Sequence, residues 1–266
     1  MRFTTRTELG VTFLQAEELG TIHGFSTRLG GVSPAPFDTL NLGLSQGDDP
    51  ARVRENYRRF CAAVGADVDR LVCSHQVHGD VIRVVTAADA GKGLDRQRDY
   101  EVDGLITDVP GLPLAIHTAD CIPVLLYDPV SRAVGACHAG WRGTALAIAA
   151  KTVAKMTQVY GTQPQNLRCA IGAGISRCCF ETCADVPDAM REALGAAAEP
   201  FIDDHGDGSF HVDLKGINRH WLTEAGVPAD QIAVSDECSV CLSEKFFSHR
   251  RSGSARGAMA AVIQLP

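Results

Sequence analysis

The chain has 266 residues, of which 45% are apolar and 21% are charged, an ordinary composition for a soluble globular protein. Its net charge of −7 argues against a nucleic acid or an anionic membrane surface as a partner, because both favour a basic face. No segment approaches the ~20 consecutive apolar residues of a membrane-spanning helix. The first residues lack the apolar core of a secretory signal, so we expect a cytoplasmic protein whose ten cysteines are reduced.

The order of predicted elements favours one layered domain over residues 1–266, since no repeat or linker interrupts the chain. Strand patterns are predicted over 71–73, 81–85, 104–107, 112–127, 134–137, 168–171, 232–234 and 258–265. They alternate irregularly with helices, which favours an α/β or α+β layered sandwich over a doubly wound sheet.

Three helices have clear start and stop signals. The first has Asp49 as its cap, Pro50 at its first position and Gly65 as its stop. The second is predicted to begin at a Thr144 cap and to run through Tyr160, and the third follows an Asp213 cap and closes before Gly226.

Three short segments combine imidazole, thiol, carboxylate and guanidinium groups: 75–79 (HQVHG), 117–121 (HTADC) and 138–143 (HAGWRG). Within them, His78, Cys121 and His138 have the side chains of a catalytic zinc site, in which three protein ligands leave a fourth position for water. Their wide spacing alone does not separate this interpretation from a small buried thiol and two hydrogen-bonded core histidines. Asp120 could orient an imidazole, act as a base or cap a turn.

Four segments resemble the signature blocks of the laccase-domain purine nucleoside phosphorylase family, formerly labelled polyphenol oxidase or multicopper oxidase-like: 76–79 (QVHG), 103–107 (DGLIT), 118–124 (TADCIPV) and 138–143. Segments 25–33, 41–43 and 246–251 resemble its flanking blocks. The resemblance implies a single four-layer α/β/β/α domain with mixed sheets. It also implies that His78, Cys121 and His138 bind zinc, with His75 and His117 beside the pocket.

The same resemblance implies phosphorolysis of adenosine, inosine, guanosine and methylthioadenosine, and hydrolytic deamination of adenosine. Zinc lowers the pKa of a bound water to about 7, which suits deamination, with Asp120 as a candidate for proton transfer. Arg28 and Arg142 could bind phosphate, or could instead form structural ion pairs. The chain departs from the family pattern at Ala173, at His249 and in its extra cysteines, which leaves the preferred nucleoside open.

Other interpretations remain open at this point. A cysteine-dependent hydrolase would use Cys121 as the nucleophile and His138 as its base, for example to edit mis-built peptidoglycan precursors. Copper is less suitable than zinc, because a blue-copper centre adds an axial methionine and no signature segment contains one. Asp103 and Gly104 predict a tight turn, although Asp103 could also face the pocket. Phe246, Phe247 and Arg250 could contact a purine. Alternatively, the two aromatic rings pack in the core and the arginine is solvated.

Five further cysteines allow a non-enzymatic interpretation as a redox or structural metal module: Cys178, Cys179, Cys183, Cys238 and Cys241. The last two have CxxC spacing, but a structural zinc site usually needs two such pairs. The sequence does not decide whether these thiols bind a second metal or are redox-active.

Overall fold

The computed structural model describes residues 2–266, in which the chain forms fifteen β-strands and six α-helices. The strands are β1 (Phe3–Glu8), β2 (Val11–Ala16), β3 (Ile22–Ser26), β4 (Val72–Cys73), β5 (Ile82–Val84), β6 (Gly104–Thr107), β7 (Leu114–Thr118), β8 (Ile122–Asp128), β9 (Ala133–Ala139), β10 (Arg168–Ile171), β11 (Glu181–Thr182), β12 (Ile202–Asp204), β13 (Phe210–Val212), β14 (Ile232–Val234) and β15 (Met259–Gln264). The helices are α1 (Pro50–Val64), α2 (Trp141–Ala145), α3 (Ile148–Tyr160), α4 (Asp185–Leu194), α5 (Leu214–Glu224) and α6 (His249–Ser252).

Two six-stranded mixed sheets form the centre of the molecule. The first has the order β1-β2-β3-β15-β7-β4, and the second has the order β14-β10-β8-β9-β6-β5. Most neighbours are antiparallel, but β4 runs parallel to β7, β5 to β6 and β14 to β10. A small antiparallel sheet, β11-β13-β12, lies apart from both.

Three clusters of buried apolar side chains define the layers. One cluster, with Tyr57 and Phe13, joins α1 to the first sheet. A second, with Ile116 and Leu125, fills the space between the two sheets. The third joins α3 and α5 to the second sheet through Val153, Ile217 and Ile171. Burial of each large side chain contributes about 1.5–3 kcal/mol to folding. The order helix, sheet, sheet, helix confirms the predicted layered α/β sandwich.

The helix signals are confirmed for α1 and α5. The Asp49 side chain accepts a hydrogen bond from the Ala51 N–H, and Gly65 closes α1 in the left-handed region at φ 83°. The Asp213 side chain likewise accepts from the Gly216 N–H at the start of α5.

The predicted start of the second helix is wrong. Thr144 lies inside α2, and a break at Ala147, with φ 58°, separates α2 from α3. The Thr144 hydroxyl accepts a hydrogen bond from Asn218 Nδ2 at 2.9 Å, and its carbonyl accepts one from Trp221 Nε1 at 2.9 Å. Tertiary bonds to α5 therefore engage the hydroxyl that the sequence suggested as a cap.

The long apolar segment 112–127 folds as two strands rather than one. The chain turns between β7 and β8 at Asp120, whose φ is 89°. This turn places Cys121 directly before the first residue of β8. Within residues 2–266 no helix combines the length and apolarity needed to cross a membrane.

Candidate active site

A cavity of about 490 Å³ opens where the loop after β4, the β7–β8 turn and the end of β9 meet. Its size lies within the ~300–1,000 Å³ usual for small-molecule sites. His78, Cys121 and His138 line it together, and so do His75 and His117. The segments 75–79, 117–121 and 138–143 therefore converge on one cavity, although they are far apart in the sequence.

A single buried carboxylate, that of Asp103, shapes the His78 loop. It accepts hydrogen bonds from the backbone N–H groups of Val77, His78 and Gly79 at 3.0, 3.1 and 2.8 Å. His78 has a φ of 61°, a conformation that costs a non-glycine residue on the order of 1–2 kcal/mol. These bonds hold the loop in that conformation.

Asp103 also orients His138. Its Oδ1 lies 2.8 Å from His138 Nδ1, and both side chains are almost fully buried. This contact leaves Nε2 of His138 available as a metal ligand, an arrangement common for metal-binding histidines. Of the roles left open for Asp120, orientation of the His138 imidazole belongs instead to Asp103.

The candidate ligand atoms of His78, Cys121 and His138 all lie within 4.8 Å of one another. Cys121 Sγ is 3.9 Å from His78 Nε2, and the two imidazole rings meet edge to face with centroids 4.9 Å apart. Gly140 allows this approach: a Cβ there would lie 3.0 Å from His78 Cδ2 and 3.2 Å from Cys121 Sγ. A side chain at position 140 would therefore crowd the ligands.

The charges of the group favour a thiolate beside an imidazolium. Burial raises the pKa of the Cys121 thiol, but the nearby His138 and hydrogen bonds from both histidines outweigh burial and lower the pKa to about 6. Burial lowers the pKa of His138, whereas Cys121 and Asp103 act oppositely and raise it to about 9. A metal cation at this position would displace the His138 proton and take its place as the positive partner of the Cys121 thiolate.

The donor set fits a zinc ion. Zinc binds thiolate sulfur at ~2.3 Å and imidazole nitrogen at ~2.0 Å, which places tetrahedral ligand atoms about 3.5 Å apart. The 3.9 Å between Cys121 Sγ and His78 Nε2 is close to that value. Small side-chain rotations would complete such a site, and no methionine is found among the lining residues of the described chain.

Asp120 lines the same cavity, but its carboxylate is already bound by the protein. It accepts hydrogen bonds from Ser239 Oγ at 2.6 Å, from Ser248 Oγ at 3.1 Å and from the Arg250 N–H at 2.7 Å. With all three donors in place, the geometry favours a positioning residue over the proton carrier that the sequence suggested.

Arg28 and Arg142 do not line the cavity. The Arg28 guanidinium donates to Asp38 Oδ2 at 3.0 Å and to the Ser243 carbonyl at 3.1 Å, and it covers the Phe247 ring. Arg142 is exposed and stacks 4.2 Å from the Trp141 ring. The structure thus gives Arg28 the structural ion pair of our alternative and gives Arg142 an aromatic contact outside the cavity.

Two other arginines, Arg98 and Arg256, line the cavity and were not singled out from the sequence. Arg98 Nη1 donates to the Ser74 carbonyl at 2.6 Å, and Arg256 Nη1 donates to the Gly257 carbonyl at 2.9 Å. Neither arginine belongs to a signature segment, so no local pattern marked them. Arg250 also lines the cavity, whereas Phe246 and Phe247 are core residues.

Comparisons with known proteins agree with this arrangement. The family described as multi-copper polyphenol oxidoreductase laccase matches residues 22–266. A relative from Geobacillus stearothermophilus, named purine nucleoside phosphorylase YlmD, is 39% identical over 249 residues, or 92% of this chain and 90% of that protein. A protein of an unknown prokaryotic organism, named adenosine deaminase RL5, is 33% identical over 245 residues, or 91% of this chain and 93% of that protein.

A solved structure has nearly the same fold. The crystal structure of the Bacillus licheniformis hypothetical protein YfiH matches with a TM-score of 0.94 and 37% identity, and covers 98% of this chain and 99% of that chain. The names of the two relatives confirm the prediction of an enzyme. The chain belongs to the multi-copper polyphenol oxidoreductase laccase family, as its signature segments predicted.

Proposed function

We propose that the chain is a zinc-dependent purine nucleoside phosphorylase that acts on adenosine, inosine, guanosine and methylthioadenosine and also deaminates adenosine. The observation that carries this proposal is the convergence of His78, Cys121 and His138 on a nucleoside-sized cavity. The relatives' names supply the substrate class. We place the activity in one domain, residues 1–266, and in the cytoplasm, where free thiols such as the ten described here persist.

His78, Cys121 and His138 would hold the zinc ion, which supplies Lewis-acid chemistry when bound. Asp103 fixes the orientation of His138 and the conformation of the His78 loop through four hydrogen bonds. The protein thus prepares the ligands before the metal arrives, which lowers the cost of binding it.

Phosphorolysis forms a bond between a phosphate oxygen and C1′ of the ribose and breaks the bond from C1′ to the purine nitrogen. The purine leaves with the electron pair and takes a proton. Phosphate needs charge-assisted donors, and Arg98 and Arg256 are the guanidinium groups that we assign to it, in place of Arg28 and Arg142. The negative charges of Asp120 and Cys121 also act on Arg256.

The test is incubation of adenosine with and without phosphate, followed by separation of inosine, adenine and hypoxanthine. We expect adenine only with phosphate and inosine in both reactions. A strong chelator should abolish both activities, and added zinc should restore them. Absence of every product from zinc-loaded protein would contradict the proposal.

One observation favours a second candidate, a cysteine-dependent hydrolase. Asp103, His138 and Cys121 form a chain in which a carboxylate orients an imidazole beside a thiol of lowered pKa, the pattern of an activated nucleophile. In that case, metal-free protein would keep its activity and would lose it when iodoacetamide alkylates Cys121. Loss of activity on removal of zinc would exclude this candidate.

A further inference from the structure

Four cysteines outside the cavity form a compact group, which we call the four-cysteine cluster: Cys178, Cys179, Cys238 and Cys241. Their sulfur atoms all lie within 4.8 Å of one another. Two come from the loop before β11 and two from the loop after β14, so residues about 60 apart in sequence meet here. Cys183, the fifth cysteine of this region, lies outside the cluster and is exposed.

The sulfur separations match a tetrahedral site. Cys178 Sγ is 3.7 Å from the sulfur atoms of both Cys179 and Cys241, and Cys179 Sγ is 3.4 Å from Cys241 Sγ. A zinc ion that binds four thiolates at ~2.3 Å holds them about 3.8 Å apart. An iron–sulfur cluster divides its four cysteines between two or more iron atoms, and sulfurs on different irons lie farther apart than the 4.8 Å limit found here.

The backbone around Cys238 is arranged to receive a thiolate. The Ser176 N–H donates to Cys238 Sγ at 3.4 Å, and the N–H groups of Val240 and Cys241 also point to this sulfur. These donors lie in the CxxC turn that ends at Cys241 and in the facing loop. Donors of this kind stabilise a charged sulfur and contribute little to a neutral thiol.

A buried ammonium group beside the cluster supplies compensating charge. Lys215 Nζ donates to Ser176 Oγ and to the carbonyls of Ser235 and Glu237 at 2.8–3.0 Å, and the residue is 5% exposed. No carboxylate of residues 2–266 forms an ion pair with it within 4.0 Å, and the negative charges that act on it come from Cys238 first, then from the more distant Asp213 and Asp236, and from Cys178. A buried cation of this kind needs nearby negative charge, which four metal-bound thiolates provide.

We propose that the four-cysteine cluster binds one zinc ion as a closed structural site, separate from the site at His78, Cys121 and His138. The four thiols release their protons, and the ion fills its coordination with sulfur alone. The site joins the loop that carries Phe180, in the cavity wall, to the loop whose Ser239 holds Asp120. It thus fastens one wall of the cavity without contributing a residue to it.

The zinc content per chain of protein purified with a non-thiol reductant tests the proposal. The double variant Cys178→Ser/Cys241→Ser should contain one zinc ion fewer than the wild type, whatever the first site holds. Cys183→Ser, at an exposed cysteine that follows β11 and lies outside the cluster, should lose none, and Cys121→Ala should keep the cluster's ion. Equal zinc in the double variant and the wild type would overturn the proposal, as would iron in place of zinc.

A measurement on the wild type covers the case in which the double variant does not fold. A thiol reagent should modify exposed Cys183 at once, while the exposed Cys178 and Cys241 react only as zinc is released to a chromogenic chelator. Immediate reaction of Cys178 and Cys241 without zinc release would contradict the proposal, and so would disulfides among the four.

Discussion

The two groups of candidate metal ligands in this molecule differ in what surrounds them. The set His78, Cys121 and His138 mixes nitrogen with sulfur, offers three ligands and borders a cavity, with a carboxylate behind one imidazole. The four-cysteine cluster offers four sulfurs, and backbone N–H groups and a buried lysine surround it. Three ligands beside a cavity leave room for a substrate, whereas four ligands close the coordination. This difference supports the catalytic role proposed for the first group and the structural role proposed for the second.

The largest expected effect separates the two groups directly. Cys121→Ala should lower kcat/KM for adenosine by at least about 1,000-fold, because several kcal/mol of transition-state stabilisation depend on the metal. Cys241→Ser should lower kcat/KM by less than ~10-fold, the smallest loss expected for residues that contact the metal ligands of an active site. Steady-state kinetics with both variants, with folding checked by circular dichroism, decides. Similar losses in the two variants would break the comparison.

Removing the carboxylate that supports the first group should have the next largest effect. Asp103→Asn should weaken zinc affinity or activity by about 10–100-fold, because it disturbs the hydrogen bond to His138 and the His78 loop. Competition with a chromogenic chelator measures the affinity. Asp80→Asn is the control and should leave the affinity unchanged, because Asp80 lies next to the same loop but is half-buried and pairs with Lys151.

Phosphate recognition should depend on an arginine in the cavity. Arg256→Gln should raise KM for phosphate by about 10-fold, since a charge-assisted hydrogen bond contributes ~1.5–3 kcal/mol. Deamination, which uses no phosphate, should change far less. Arg142→Gln serves as the matched control because this arginine lies outside the lining. An unchanged KM for phosphate in Arg256→Gln would contradict the assignment of Arg256 to phosphate binding.

The smallest effect concerns the pH dependence of stability. Burial and then Arg98 lower the pKa of His117 to about 3, and its Nε2 is bonded to the Tyr57 hydroxyl. Below pH ~6.5, the pKa of an ordinary histidine, the unfolded chain binds a proton at His117 that the folded chain does not. The free energy of unfolding that the neutral His117 contributes is therefore lost as the pH falls from ~6.5 toward about 3. His117→Gln should therefore show a shallower fall of Tm between pH 7 and pH 4. A parallel fall in both proteins would count against this role.

The sequence predicted what depends on local rules. The caps of α1 and α5, most strands and the three segments that meet at the cavity follow from residue types and short spacings. The predicted start of the second helix was wrong because the Thr144 side chain forms a hydrogen bond with Asn218 of α5, which is distant in sequence. The small sheet β11-β13-β12 has strands of two and three residues, too short for a periodic signal.

The supporting residues of the site show the same limit. Asp103 stands in a signature segment, but only the fold shows that its carboxylate reaches His138 and the His78 loop. Arg98 and Arg256 enter the cavity from segments without a recognisable pattern. The four cysteines were visible in the sequence, but only the fold shows that they meet and that Cys183, after β11, lies outside their cluster. Long-range contacts of this kind carry no local signal.

The position of β15 in the first sheet has a consequence for how the molecule is made and cut. This strand lies between β3 and β7, and its residues pair with partners more than 140 and 230 positions earlier in the chain. A fragment without residues 259–264 would leave two inner strands with bare edges and the apolar core between the sheets open to water. The sheet that supports the β7–β8 turn therefore closes late in folding, after the chain has made its most distant contacts. Truncation from this end would therefore disrupt both the cavity and the apolar core between the sheets.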